Sequence, residues 1–189
     1  HTQIKLSPCS KSQELILKNV GKDNVVKPHS MVNLNFINEQ MNTACEYIDN
    51  KELEKAEFKI RKIISLCIFI IPNNEDEIEQ IRELIRLCTE YLYLIKLLNI
   101  SELKKNDKYL YSELCLLTTL CRVKPIHRFL MLKRAKVSTK NVKNYITSFG
   151  LIYKMLAMEN ILKDFEDLGF DKLLTEYNSL KDKTNDKDY

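Results

Sequence analysis

Glycine and proline are scarce, three and four residues in a chain of 189. An all-β protein built on many tight turns needs more of both, whereas the abundance of Leu, Ile, Lys and Glu points to helix. Long apolar runs are missing too. The longest, 63–71, spans nine residues, is interrupted by Ser65 and is stopped by Pro72. A membrane-spanning helix needs about 20, so this run reads as a buried helix end. No signal-like apolar region follows His1, and a start without Met reads as a domain excised from a longer protein. Acids are absent from a long stretch as well: between Glu113 and Glu159 there is none, against nine Lys or Arg.

That gap hides inside a net charge of only +4. Residues 39–90 carry twelve acids against seven bases, and 159–189 carry nine against five. A basic middle between acidic flanks can pair within the fold or face an acidic partner. Six cysteines (Cys9, Cys45, Cys67, Cys88, Cys115, Cys121) lie at long, irregular intervals. A disulfide framework or zinc site uses tighter, repeated spacing, so these read as buried reduced thiols of a cytosolic protein. Asn99-Ile100-Ser101 is a formal glycosylation acceptor that carries little weight in the cytosol.

Residues 1–33 lack periodicity and hold Pro8, Gly21 and Pro28, which reads as an extended, loosely structured lead-in. From Leu34 the helical period sets in, with Ile37, Met41, Ala44, Cys45 and Ile48 on one face. A second amphipathic stretch covers 52–71. Ala44, Tyr47, Ala56 and Ile60 fit the offsets of a tetratricopeptide-like hairpin, in which small residues let two helices touch. Asn73-Asn74-Glu75-Asp76-Glu77 supplies a helix start. The helix after it, 75–98, buries Ile78, Ile81, Leu84, Ile85, Cys88, Leu92 and Ile95, with Tyr91 and Tyr93 reaching toward an edge. A polar break at 99–107 precedes a helix over 108–121. Pro125 suits the first turn of the next helix, whose buried side is Ile126, Phe129, Leu130 and Leu132 with Met131 at its margin. Further helices fall over 141–158, in a short piece ending by Leu168, and over 170–180, with Gly169 as a left-handed stop. The expected fold is all-α: an antiparallel helical array, or short α-solenoid, of about seven helices over 34–180, followed by a charged tail, 181–189.

Chemistry is poorly supplied. His127 lies six residues after Cys121 and twelve after Cys115, and neither interval sets metal ligands on one helix face. No glycine-rich nucleophile turn or phosphate loop accompanies them, so no enzyme activity, cofactor or metal is expected, and a Cys–His pair meeting in space is the residual catalytic reading. The stronger candidate is a partner-binding basic face: Arg122, Lys124, Arg128, Lys133, Arg134, Lys136, Lys140 and Lys143. Nucleic acid would want more aromatics than Phe129 and Tyr145. Anionic lipid and an acidic protein surface both fit the charges.

The most distinctive segment is Pro125-Ile126-His127 followed by Leu130, Leu132 and Ala135. With Leu53-Glu54-Lys55-Ala56, Cys88-Thr89-Glu90-Tyr91 and Lys143-Asn144-Tyr145, it resembles the C-terminal helical domain of the coatomer alpha subunit of the COPI vesicle coat. Two departures stand out: Ile68 occupies a position where that family usually has proline, and Lys136-Val137-Ser138-Thr139-Lys140-Asn141 replaces a strongly apolar helix. The resemblance implies a structural role, a cytoplasmic scaffold on Golgi membranes and COPI vesicles. Its partners would be the coatomer epsilon subunit and other coatomer subunits, with no nucleic acid. The epsilon contact would fall on the basic face of 122–143 or on an extended segment within 1–33. A free-standing helical adaptor binding anionic lipid or nucleic acid is the alternative.

Overall fold

The computed structural model describes residues 3–6, 13–20, 25–29, 32–163, 165 and 168–185. Cys9 and the last four residues of the charged tail lie outside them. The chain divides into two compact units, His1–Thr89 and Glu90–Tyr189.

Unit 1 begins with an antiparallel three-stranded meander: β1 (Gln3–Leu6), β2 (Gln13–Val20) and β3 (Val25–His29), in that order. Gln3 pairs with Ile16, and Ile16 with His29. Pro28 falls in an edge strand, where a missing backbone donor is tolerated. The sequence points to an extended segment over 1–33; the strands are extended and also pair with one another.

From Leu34 onward every regular element described is a helix. α1 (Leu34–Asp49) and α2 (Leu53–Cys67) form the expected hairpin. Asn33 caps α1 by accepting from the Phe36 amide at 2.9 Å. Ile37, Met41, Ala44, Cys45 and Ile48 are all buried, as are Ala56, Ile60, Ile63 and Cys67 across the hairpin. Ala44 and Ala56 are fully enclosed, as close helix contact requires. Lys51, at φ 61, turns the chain between them. The expectation of helix to residue 71 is corrected: α2 stops at Cys67, and Ile68 caps it, 77% exposed.

α3 (Glu75–Leu103) starts on reciprocal bonds. The Glu77 amide donates to Asn74 Oδ1 at 2.8 Å, and the Asn73 amide donates to Glu77 Oε2 at 2.7 Å. Those Asn73 bonds hold the Glu77 carboxyl below its usual range. The expected break at 99–107 is corrected as well. The helix runs on to Leu103 because Ser101 is buried and returns its hydroxyl to the Leu98 carbonyl at 2.8 Å.

Unit 2 takes the rest of α3 with α4 (Lys108–Thr118), α5 (Pro125–Asn141), α6 (Tyr145–Leu156) and α7 (Phe170–Asn185). Asp107 caps α4 through the Tyr109 and Leu110 amides. The core gathers Phe129, Leu132 and Ala135 with Ile152, Met155 and Leu162, and Phe129 meets Phe170 at 5.3 Å between ring centres. α5 mixes polar and apolar residues around its circumference yet is largely enclosed, with its solvent stripe along Leu130, Lys133, Val137 and Asn141. Leu130, expected on the buried side, sits on that i, i+3, i+7 stripe and is 37% exposed. The short helix expected before Leu168 is a series of turns over 157–163, through which Met158 and Leu162 still reach the core. Gly169 takes φ 74, the left-handed conformation assigned to it, and α7 continues past residue 180 to Asn185.

Candidate partner interface

α5 starts on Pro125, whose missing donor suits the first turn. Immediately before it the Lys124 amide donates to the Tyr91 hydroxyl at 3.2 Å, and that hydroxyl lies 2.5 Å from His127 Nδ1. The two rings meet edge to face at 5.5 Å. Tyr91, expected at an edge, is fully buried, and His127 is buried with it. The expectation is corrected because His127, thirty-six residues away in sequence, supplies the polar partner that an edge position would have found in water. Tyr93 is 64% exposed, as expected. The Pro-Ile-His segment thus locks the start of α5 onto α3.

Of the eight basic side chains singled out, three are committed inside unit 2. The Arg134 guanidinium donates to Ser101 Oγ at 2.8 Å, Glu102 Oε1 at 2.9 Å and the Tyr111 hydroxyl at 3.2 Å. Lys136 and Lys140, one helical turn apart, grip the two oxygens of Glu176 at 2.6 and 3.0 Å. Burial pushes the Glu176 carboxyl up, but the bonds from Lys136 and Lys140 outweigh it and hold the group below its usual range. Lys136 is itself buried. At the surface of α3 the bond from Lys105, aided by Arg134, likewise lowers Glu102.

Lys124 is half-buried, while Arg122, Arg128, Lys133 and Lys143 are exposed. Lys143 takes φ 61 in the turn between α5 and α6, where Asn144 caps α6 by accepting from the Thr147 amide at 3.1 Å. The structure therefore ties Arg134, Lys136 and the exposed Lys140 to partners on other helices and leaves Arg122, Arg128 and Lys133 outward. Arg128 and Arg122 share a depression with Lys154, a cation on α6 outside the eight singled out from the sequence. Its signal was available: Lys154 is the ninth base in the acid-free stretch.

The five cysteines among the described residues form no disulfide with one another and are buried. Burial, with the nearby Cys67 and Cys45, pushes the Cys88 thiol up to about 12. Burial also raises Cys67 and Cys121. Thiols held protonated are poor nucleophiles. No cluster of His, Cys, Asp or Glu fit to hold a metal occurs among the described residues, and none of their helices is long and apolar enough to cross a membrane.

A family model for the C-terminus of the Coatomer (COPI) alpha subunit matches residues 4–164. No curated protein matches the chain significantly. The family is one of structural coat components rather than enzymes. With most of its length matched and its helical array in place, the chain belongs to the COPI coat family defined by the C-terminus of the coatomer alpha subunit.

Proposed function

We propose that this chain is a scaffold domain of the COPI coat that binds the coatomer epsilon subunit in Golgi–ER vesicle transport. It acts on the cytoplasmic side of Golgi membranes and on COPI vesicles, joined to them through the coat. The observation that carries this reading is the family match over 4–164. The surface is consistent with it. Buried, protonated thiols and a buried Tyr91–His127 pair serve packing, and exposed cations at Arg122, Arg128 and Lys133 suit the rim of a protein contact, where charge sets rate and register. Lys124 and Lys143 extend that contact at the two ends of α5. Arg134, Lys136 and Lys140 support it from within by fixing α5. The segment 1–33 is the second candidate contact, since its three paired strands offer a backbone edge to a partner groove.

Co-expression with the same organism's coatomer epsilon subunit, followed by size-exclusion chromatography at moderate and high salt, tests the reading. A one-to-one peak at both salts is expected if apolar anchors hold the complex. A peak lost only at high salt assigns the contact to the basic side chains. Separate elution at both salts overturns epsilon binding.

A further inference from the structure

Two depressions on unit 2 run into one another. One, about 430 Å³, lies where the segment after α4 meets α5, and Arg122, Arg128 and Lys154 line it. The other, about 350 Å³, lies between α4 and α6 over Leu116, Leu117, Gly150 and Leu151. Thr119, Leu120 and Lys154 line both, so they form one groove, apolar at its α4–α6 end and cationic at its α5 end. Leu120 is 71% exposed and Leu117 46%, an apolar ridge with no covering element among the described residues. No acid among the described residues lines the groove. Arg122, Arg128 and Lys154 form no ion pair among the described residues, and the nearby Glu90 carboxylate accepts from the Arg122 amide instead, at 3.0 Å.

Gly150 is the second observation. Glycine inside a helix costs about 1 kcal/mol relative to alanine, so its presence in α6 wants a reason. The fold supplies none, because a Cβ built there meets nothing within 4 Å. The open space above it is the groove itself, and a bare Cα lets another backbone approach closely. Nucleic acid is a poor fit, since no aromatic ring among the described residues lines the groove for bases to stack on. A flat lipid surface would reach the rim cations and leave the recessed Leu151 untouched.

We infer that this groove docks an acidic amphipathic helix of a protein partner, its apolar side chains over Leu117, Leu120 and Leu151, its carboxylates at Arg122, Arg128 and Lys154, and its backbone against Gly150. The inference rests on the reading that the exposed cations of α5 face a protein, and it holds whichever member of the coat or other protein carries the helix.

The test is selection of displayed random peptides of about 16 residues, some four helical turns, on the whole chain, the enriched peptides then being compared on Gly150→Trp. Enriched peptides are expected to be net acidic with apolar residues at i, i+3 or i+4. In fluorescence anisotropy the double variant Arg128→Glu/Lys154→Glu weakens them about tenfold or more, a loss of roughly 1.4 kcal/mol per decade. Gly150→Ala is the folding control: it raises helix stability and shows by circular dichroism that the site tolerates substitution. Enrichment without acidic bias overturns the inference, as does equal binding to Gly150→Trp or no enrichment at all. Sedimentation of the chain with phosphatidylserine vesicles, abolished by Arg128→Glu/Lys154→Glu while no peptide enriches, transfers the cations to anionic lipid and overturns it too. Peptide selection that succeeds while the epsilon subunit elutes separately leaves this groove standing and removes only epsilon binding.

Discussion

The two units achieve their internal cohesion by different means. The helices of unit 1 pack through an apolar and sulfur-rich seam, where Cys88 Sγ lies 3.9 Å from Met41 Sδ. Their charges pair along single helices: Arg61 with Glu57 at 2.7 Å, Arg82 with Glu79 at 3.2 Å, and Arg86 with Glu83. In unit 2 the polar bonds cross between helices instead. Tyr91 meets His127, Arg134 reaches Ser101 and Glu102, and Lys136 with Lys140 straddles Glu176. Charge is decoration on one unit and a tertiary fastening in the other. Different perturbations should therefore damage them.

Alkali should weigh more on unit 1, where burial raises both Cys67 and Cys88, than on unit 2, where it raises Cys121. The folded Cys88 thiol titrates near 12, against an ordinary 9.0. Unfolding above pH 9 releases a proton that the folded protein keeps, so this contribution is whole below pH 9 and falls as pH climbs toward 12. The slope is about 1.4 kcal/mol per pH unit, or roughly 3 kcal/mol by two units above the unfolded value. Urea midpoints at stepped pH from 8 to 11 check it, and Cys88→Ala should flatten the fall. An equal fall in Cys88→Ala would move the alkaline weakness elsewhere and blur the contrast between units.

Removing a fastening should hurt unit 2. Glu176→Gln leaves the buried Lys136 without its carboxylate and should cost about 3 kcal/mol, the low end for breaking a buried ion pair. The paired change Lys136→Met/Glu176→Leu should restore most of that loss, because a buried pair replaced by apolar side chains is close to neutral. Urea unfolding followed by helical circular dichroism gives both numbers. If the single change is silent, the bond counts as surface decoration after all. Tyr91→Phe is the milder cut. It deletes the acceptor of the Lys124 amide and the partner of His127 Nδ1, an expected loss of about 1–2 kcal/mol.

The same contrast explains which parts of the fold were legible. The hairpin was, because α1 and α2 declare their buried faces by spacing alone, and all five residues placed on the α1 face are buried. The cap at Asn73 to Glu77 was legible for the same reason, being a bond between near neighbours in sequence. α5 was not. Its eight buried positions include His127, Lys136, Ser138 and Thr139, so hydrophobic periodicity misplaces Leu130 and counts Lys136 as surface. Ser138 and Thr139 hide their hydroxyls on the Ala135 carbonyl, each at 2.9 Å, a satisfaction no composition reveals. One hint was present: Lys136 and Lys140 are a turn apart beside core-spaced Ala135 and Thr139, an arrangement that asks for a shared carboxylate. The acceptor that meets them, Glu176, lies thirty-six residues beyond Lys140, and sequence alone cannot reach that far.

The smallest effect sharpens the comparison most cleanly. Arg61 and Glu57 form a well-made i, i+4 pair in α2, yet the Arg61 side chain is 64% exposed. Arg61→Gln keeps helix propensity nearly unchanged and removes only the charge. Exposed helical pairs of this kind contribute about 0.3–0.5 kcal/mol and fade with salt. The expected outcome is a shift of a few tenths of a kcal/mol in urea unfolding at low salt that vanishes at high salt, while the Glu176→Gln loss survives the same salt because Lys136 and Glu176 are shielded from it. A salt-proof effect at Arg61, or a salt-labile one at Glu176, would mean that neither exposure nor the span between helices decides what a charge is worth in this protein.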